Sequence, residues 1–188
     1  TVTHHGLVSV ELARLYTRPE TPPLLFGAAI TPQTAEWVGG WADGLITTSR
    51  PPEDLKEVAD AFRRGGGGGK PMYLKVDVSY AADEADALRG AWEQWRYNAF
   101  PSSVNTGILL PEMFDAASRF VRPEDMRESV RISSDPEQHI AWLREDARLG
   151  FERLFIHNVN TGQREFVEFY GSEVLPALIG KEASHAAA

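Results

Sequence analysis

The sequence predicts an α/β fold with a parallel sheet, because four strand-like segments alternate with segments of helical periodicity. The 188 residues suffice for one domain with a sizeable core. Hydrophobic residues make up 43% of the chain and charged residues 24%, which is a globular composition. The four strands form either a small open sheet, as in flavodoxin-like domains, or half of an eight-stranded β/α barrel, which in full takes about 250 residues.

The strands are predicted where short apolar or alternating runs lie between turn residues. The first run ends at Ile30, and Thr31 then caps a helix whose first residue is Pro32. The third run alternates, so that Leu74 and Val76 point to the same face of the sheet. The predicted strands comprise residues 22–30, 45–48, 72–80 and 151–158.

Helices are predicted after each strand from the spacing of apolar side chains and from the proline or acidic residues that open them. Right-handed connections between successive strands then make the sheet parallel. Residues 101–132 are predicted to form a helical insertion before the last unit of a single domain that spans residues 1–188. The predicted helices comprise residues 32–41, 51–62, 83–95, 111–120, 123–130, 136–149 and 163–178.

The glycine run from Gly65 to Gly69 is predicted to be a flexible surface connection. A phosphate-binding loop needs a strand before its glycines and a helix after them, with a Lys-Ser or Lys-Thr pair. Here a helix precedes the run, a strand follows it, and Lys70 is followed by Pro71.

Charge and composition exclude several classes of protein. Lys and Arg together number 19 and Asp and Glu 27, so the net charge is -8. The sequence contains no basic stripe that would indicate nucleic-acid binding. The absence of cysteine excludes disulfides, a thiolate nucleophile and a cysteine-ligated metal. The sequence contains no run of 18 apolar residues, which a membrane-spanning helix would need, and no signal-peptide pattern. We therefore expect a cytoplasmic protein without membrane contact.

Ligands in both architectures bind at the carboxyl ends of the strands. At the end of the first strand, Ala28, Ala29, Ile30 and Thr31 lead into a helix N-terminus, whose free N–H groups suit a phosphate. The alternative for these residues is an ordinary capped turn with no ligand.

The second and third strands also end in polar residues. Thr48, Ser49 and Arg50 offer hydroxyl groups and a guanidinium to an anion or a substrate. The alternative is that the β-branched threonine simply favours the strand and that the residues after it cap the next helix. Lys75 and Asp77 share one face of the third strand, either as an internal ion pair or as a polar floor under a cofactor.

His157 ends the last predicted strand. A functional role would be contact with a ligand or acid–base chemistry. The alternative is a histidine that is hydrogen-bonded to neighbouring backbone. The sequence places no carboxylate beside it, and no metal site is predicted.

Together these motifs, in their order along nearly the whole chain, resemble the luciferase-like monooxygenase superfamily. The closest likeness is to its deazaflavin-dependent oxidoreductases of the glucose-6-phosphate dehydrogenase type. The resemblance rests on Ala13-Arg14-Leu15-Tyr16, Pro22-Pro23-Leu24-Leu25-Phe26-Gly27-Ala28-Ala29, Ala42-Asp43-Gly44-Leu45-Ile46-Thr47-Thr48, Lys75-Val76-Asp77-Val78-Ser79-Tyr80, Ser134-Asp135-Pro136, Phe155-Ile156-His157, Gln163-Arg164-Glu165-Phe166 and Glu173-Val174-Leu175-Pro176.

Members of this superfamily are TIM barrels of roughly twice this length, so the resemblance implies parallel (β/α) units that form about the C-terminal half of a TIM barrel. It implies a flavin- or deazaflavin-dependent oxidoreductase that transfers hydride between FMN or coenzyme F420 and a small organic substrate. The family's main catalytic residues belong to the other half, so no catalytic residue is assigned and the chain alone is expected to be poorly active. The alternative is a non-catalytic, cofactor-binding half-barrel that self-associates.

The resemblance also implies site residues and partners. It assigns contact with the cofactor phosphate to Ala28, Ala29, Ile30 and Thr31. It assigns substrate binding to Thr48, Ser49, Arg50, His157 and Gln163. Pro51 and Glu128 stand where sugar-phosphate enzymes of the family keep lysines, which argues against glucose 6-phosphate. The expected partners are a small-molecule substrate and either further copies of the chain or a missing N-terminal half.

Overall fold

The computed structural model describes residues 1–179 and all their side chains except that of Ser102. Residues 180–188, the end of the predicted single domain, lie outside the described residues. Within the described range, one hairpin and one five-stranded parallel sheet are present. The strands are β1 (Val2–His4), β2 (Val10–Ala13), β3 (Phe26–Ala28), β4 (Gly44–Thr48), β5 (Met72–Ser79), β6 (Arg131–Ile132) and β7 (Arg153–Asn158).

The helices follow the strands much as predicted. Thr31 caps the first of them through its side-chain oxygen, which accepts the Thr34 N–H at 3.2 Å. Single turns of other helix types lie at Arg63–Gly67, Arg96–Ala99, Pro123–Glu128 and Tyr170–Val174. The α-helices are α1 (Pro32–Gly39), α2 (Pro52–Phe62), α3 (Glu84–Trp95), α4 (Ser102–Asn105), α5 (Pro111–Ser118), α6 (Pro136–Arg148), α7 (Gln163–Phe169) and α8 (Leu175–Ile179).

The order of the long strands in the sheet, β3-β4-β5-β7, follows their order in the chain. All three pairings are parallel. In an open, doubly wound sheet the strand order reverses at a switch point, whereas in a β/α barrel each crossover adds its strand on the same side. The topology therefore favours the barrel over the flavodoxin-type sheet.

The short strand β6 lengthens the sheet beyond the end of β4. It pairs with β5 at Val78 and Ser79. The Lys75 and Ser79 carbonyls lie four residues apart, an even spacing along the strand, so both point to the same edge of β5. The first accepts the Ser49 N–H and the second the Ser133 N–H. Thus β6 pairs with the same edge of β5 as β4 does, beyond the carboxyl end of β4.

One face of the sheet is covered by helices. Leu45, Leu74, Val76 and Val78 are buried there in one cluster with side chains from α1, α2, α6 and α7. Full burial of such a side chain contributes about 1.5–3 kcal/mol, so this layer stabilises the sheet. The predicted alternation along β5 is confirmed. The neighbouring positions of the strands face the opposite, inner side.

The prediction of a flexible glycine connection is wrong for the start of the glycine run. The turn after α2 packs directly against α1, because Gly65 leaves no side chain between the two backbones. A Cβ atom on Gly65 would lie 1.8 Å from the Glu36 carbonyl oxygen, and one on Gly39 would lie 2.3 Å from the Phe62 carbonyl oxygen. Gly39 and Gly65 are therefore required by close helix packing.

The hairpin of β1 and β2 is not predicted by the sequence. Residues 1–25 are all exposed, so no strand face is buried and no alternation marks these strands. The two strands pair antiparallel, and Leu12 adopts a positive φ of 51°. This segment exposes several large apolar side chains, among them Leu7, Leu15 and Tyr16.

The segment after β5 forms a cap at the carboxyl ends of the strands. Ala87 and Ala91 of α3 are buried in a second cluster with Met126 and Ile132. The predicted insertion at residues 101–132 contains α4, α5, one turn and β6. Its division from the rest of the domain stays a prediction. Among residues 1–179, no helix combines the length and apolar character that crossing a bilayer requires.

Candidate functional site

Three charged or polar side chains meet on the inner face of the sheet, near the carboxyl ends of β5 and β7. Asp77 and His157 lie directly opposite each other in the parallel register of the two strands. Asp77 Oδ1 accepts a hydrogen bond from His157 Nδ1 at 2.8 Å and lies 2.5 Å from Lys75 Nζ. The structure thus places beside His157 the carboxylate that the sequence did not.

Trp95, the last residue of α3, covers this group. Its ring centroid lies 5.1 Å from that of His157 in an edge-on arrangement. Lys75 Nζ lies 5.2 Å from the same ring, within the range of a cation–π contact. The end of α3 is therefore in contact with the polar group formed by Lys75, Asp77 and His157, which we call the inner polar group.

A cleft of about 440 Å³ opens beside Lys75 at the carboxyl ends of β3 and β4. It brings together part of both predicted sites, since Ala28, Ala29 and Ile30 line one side and Thr48 lines the other. The volume lies within the range of about 300–1,000 Å³ that is usual for small-molecule sites.

Backbone N–H groups at this cleft are free to meet a ligand. The N–H groups of Ile30 and Thr31 donate no hydrogen bond within the described part of the chain. These groups lie at the start of α1, where the helix dipole favours an anion.

Ser49 and Arg50 point to other surroundings. The Ser49 hydroxyl joins β4 to β5, because it donates to the Lys75 carbonyl at 3.1 Å and accepts the Asp77 N–H at 2.9 Å. Arg50 lines a separate cleft of about 210 Å³ together with Glu128. The Ser49 hydroxyl is thus already hydrogen-bonded to β5, and Arg50 lies away from the 440 Å³ cleft.

Gln163 braces the loop after β7. Its side-chain nitrogen donates to the Asn158 carbonyl at 3.0 Å and to the Asn160 carbonyl at 2.5 Å. The substrate contact predicted for Gln163 remains a prediction, since its amide nitrogen is already bonded to backbone.

A second histidine, His139, is bonded on both ring nitrogens. Nε2 lies 3.0 Å from the Ser133 carbonyl, which can only accept, so Nε2 donates and Nδ1 accepts from the Tyr170 hydroxyl at 2.9 Å. His139 is fully buried, and this burial lowers its pKa. Burial likewise raises the pKa of Tyr170. This pair belongs to the core.

A further cavity, of about 710 Å³, lies in the cap between Tyr97, Leu109 and Phe114. It contains none of the predicted site residues. The chemistry-bearing residues instead cluster at the inner polar group and the 440 Å³ cleft beside it.

Comparison with known proteins places this geometry in a family. The family model described as luciferase-like monooxygenase matches residues 1–153. The chain belongs to the luciferase-like monooxygenase family. The region that matches contains the 440 Å³ cleft together with Lys75 and Asp77, whereas His157 lies just after it.

Two curated relatives of the chain are named F420-dependent glucose-6-phosphate dehydrogenase. The protein of Beutenbergia cavernae is 28% identical over 178 residues, which cover 90% of this chain and 53% of the relative. That of Microbacterium testaceum is 30% identical over 195 residues, which cover 94% of this chain and 55% of the relative. The chain spans about half the length of the curated relatives it matches.

Solved structures of the family share the fold. An F420-dependent secondary alcohol dehydrogenase, in complex with an F420-acetone adduct, superposes with a TM-score of 0.82 at 21% identity, over 94% of this chain and 56% of that one. The coenzyme F420-dependent tetrahydromethanopterin reductase of Methanopyrus kandleri gives a TM-score of 0.61 at 19% identity, over 81% of this chain and 50% of that one. The predicted parallel units of a TIM-barrel family, amounting to about half a barrel, are confirmed.

Proposed function

We propose that this chain is the C-terminal half of a flavin- or deazaflavin-dependent oxidoreductase and holds the cofactor and the rim of the substrate site. The observation that carries the proposal is the 440 Å³ cleft at the ends of β3 and β4, where Ile30 and Thr31 present unbonded N–H groups. Membership of the luciferase-like family supports it.

The residues present fit FMN or coenzyme F420. The backbone of Ala28, Ala29, Ile30 and Thr31 would hold a phosphate at the start of α1, while Ile46 supplies an apolar wall. When bound, the cofactor exchanges hydride with a small organic substrate. Thr48 and His157 would orient that substrate on the inner face, next to the cleft.

The experiment is a fluorescence titration of the purified chain with F420 and, separately, with FMN. Ala28 is exposed and lines the cleft, so Ala28→Trp fills it from the surface. We expect saturable binding of one of the two cofactors and at least a tenfold weaker affinity in Ala28→Trp. Ala116→Trp, on an exposed position of α5, is the matched control and should bind as the parent does. Equal affinity in both variants would overturn the assignment of the cleft.

A second candidate function is a half-barrel that binds cofactor without catalysis and associates with itself. The inner face favours this candidate, because it exposes a row of aromatic rings. The Phe26 and Tyr73 centroids lie 4.3 Å apart, those of Tyr73 and Phe155 5.8 Å apart, and Phe155 is 48% exposed. In the described chain, β3 and β7 also each leave one edge unpaired, which is a liability for a lone sheet.

Light scattering during size-exclusion chromatography distinguishes association with further copies of the chain from association with a missing N-terminal half. Self-association predicts a mass that is a multiple of the 20.8 kDa chain. A monomeric mass, together with binding to a separately expressed first half-barrel, would favour the missing N-terminal half instead.

A further inference from the structure

His139 in the core and His157 on the inner face differ in hydrogen bonding and exposure, and the difference indicates that His157 is functional. His139 has both ring nitrogens bonded and is fully buried, as expected for a structural histidine. The His157 side chain is 41% exposed, and only its Nδ1 has a partner among the described residues. One nitrogen of His157 is therefore fixed while the other is open.

The fixed nitrogen is held by a rigid element. Asp77 lies inside β5 and is only 12% exposed at its side chain, and its N–H is bonded to the Ser49 hydroxyl. Because the register puts Asp77 directly across from His157, the carboxylate meets Nδ1 without a flexible connection. A carboxylate oxygen accepts, so Nδ1 must carry the proton.

We propose that Asp77 is a positioning residue, which fixes His157 with its proton on Nδ1 and so presents Nε2 as a hydrogen-bond acceptor on the inner face. The bond made by one ring nitrogen determines which form the other takes. Nε2 then takes a hydrogen-bond donor, and the fitting substrate group is a hydroxyl. This substrate class rests on the proposed function.

The charges of the inner polar group argue for a neutral hydroxyl over a phosphate. Lys75 is the cation of the inner polar group, and its ammonium already contacts the same Asp77 oxygen as His157 does. An anionic group at Nε2 would receive no donated proton from this form of His157. It would also face the Asp77 carboxylate.

The test is NMR of the chain labelled with ¹⁵N-histidine, without cofactor, at mildly alkaline pH, where imidazole side chains are ordinarily uncharged. His157→Gln assigns the ring signals. We expect the parent chain to show the proton of His157 on Nδ1. Asp77→Ala should shift the population toward Nε2–H, and Asp77→Glu should restore part of the parent pattern. Asp60→Asn, an exposed carboxylate of α2, is the control and should change nothing.

An Nε2–H form in the parent chain overturns the proposal by itself, even if Asp77→Ala fails to fold. An unchanged Nδ1–H form in a folded Asp77→Ala protein also overturns it. The substrate class is tested by adding 2-propanol or inorganic phosphate at matched ionic strength. A shift of Nε2 with 2-propanol is expected, and no such shift, or a larger one with phosphate, refutes the hydroxyl assignment. No cofactor is present, so these outcomes are independent of the cofactor titration.

Discussion

The ion pair between Arg131 and Asp146 gives the sharpest test of how the cap is fastened to the barrel half. Arg131 belongs to β6 and Asp146 to α6, so the pair holds the short strand against the helix that follows it. The contacts are bidentate, at 2.6 and 2.9 Å, and the Asp146 side chain is only 1% exposed. Asp146→Asn removes the negative charge and leaves the Arg131 guanidinium largely buried without compensation.

Breaking one partner of a buried pair costs about 3–5 kcal/mol. For a chain of this size, 1 kcal/mol corresponds to about 2–4 °C in Tm, so Asp146→Asn should lower Tm by about 6–20 °C. The matched control is Asp60→Asn, which breaks an exposed pair with Lys56 and should cost about 0–1 kcal/mol. Thermal unfolding followed by circular dichroism measures Tm for both variants. Equal midpoints for the two variants would refute the reasoning.

Two further predictions concern the packing of α1 and a buried histidine. Gly65→Ala should destabilise the chain by at least about 1–3 kcal/mol, because its Cβ would collide with the Glu36 carbonyl, whereas Gly68→Ala meets nothing within 4 Å and should be nearly neutral in urea unfolding. Burial lowers the folded-state pKa of His139 below its ordinary value of 6.5, so the unfolded chain binds the proton more readily. Stability from His139 should therefore be complete above about pH 6.5 and fall below it. His139→Gln should flatten this dependence, and an identical pH profile in the variant would contradict the assignment.

Much of the sheet could be predicted because burial leaves a local pattern. β5 alternates between Leu74, Val76 and Val78 on the helix-covered side and polar residues on the other, and both assignments follow from a period of two. The cap formed by Thr31 and Pro32 is equally local. Such features need only neighbouring residues.

The inner polar group could not be predicted, because it depends on register between strands far apart in the chain. Asp77 and His157 are 80 residues apart, and a shift of one residue would turn one of them to the opposite face. The role of Gly65 was missed for a similar reason, since its partner Glu36 belongs to another helix. The N-terminal hairpin was missed because nothing in the described chain buries it.

Hydride transfer by the purified chain tests the central claim most directly. The chain holds the proposed cofactor cleft and the inner polar group, whereas the main catalytic residues are expected on the other half of the barrel. With F420 or FMN and a small alcohol, and with intact mass excluding any longer species, we predict no turnover above the blank without protein. Sustained turnover in proportion to the concentration of the 188-residue chain would contradict the account.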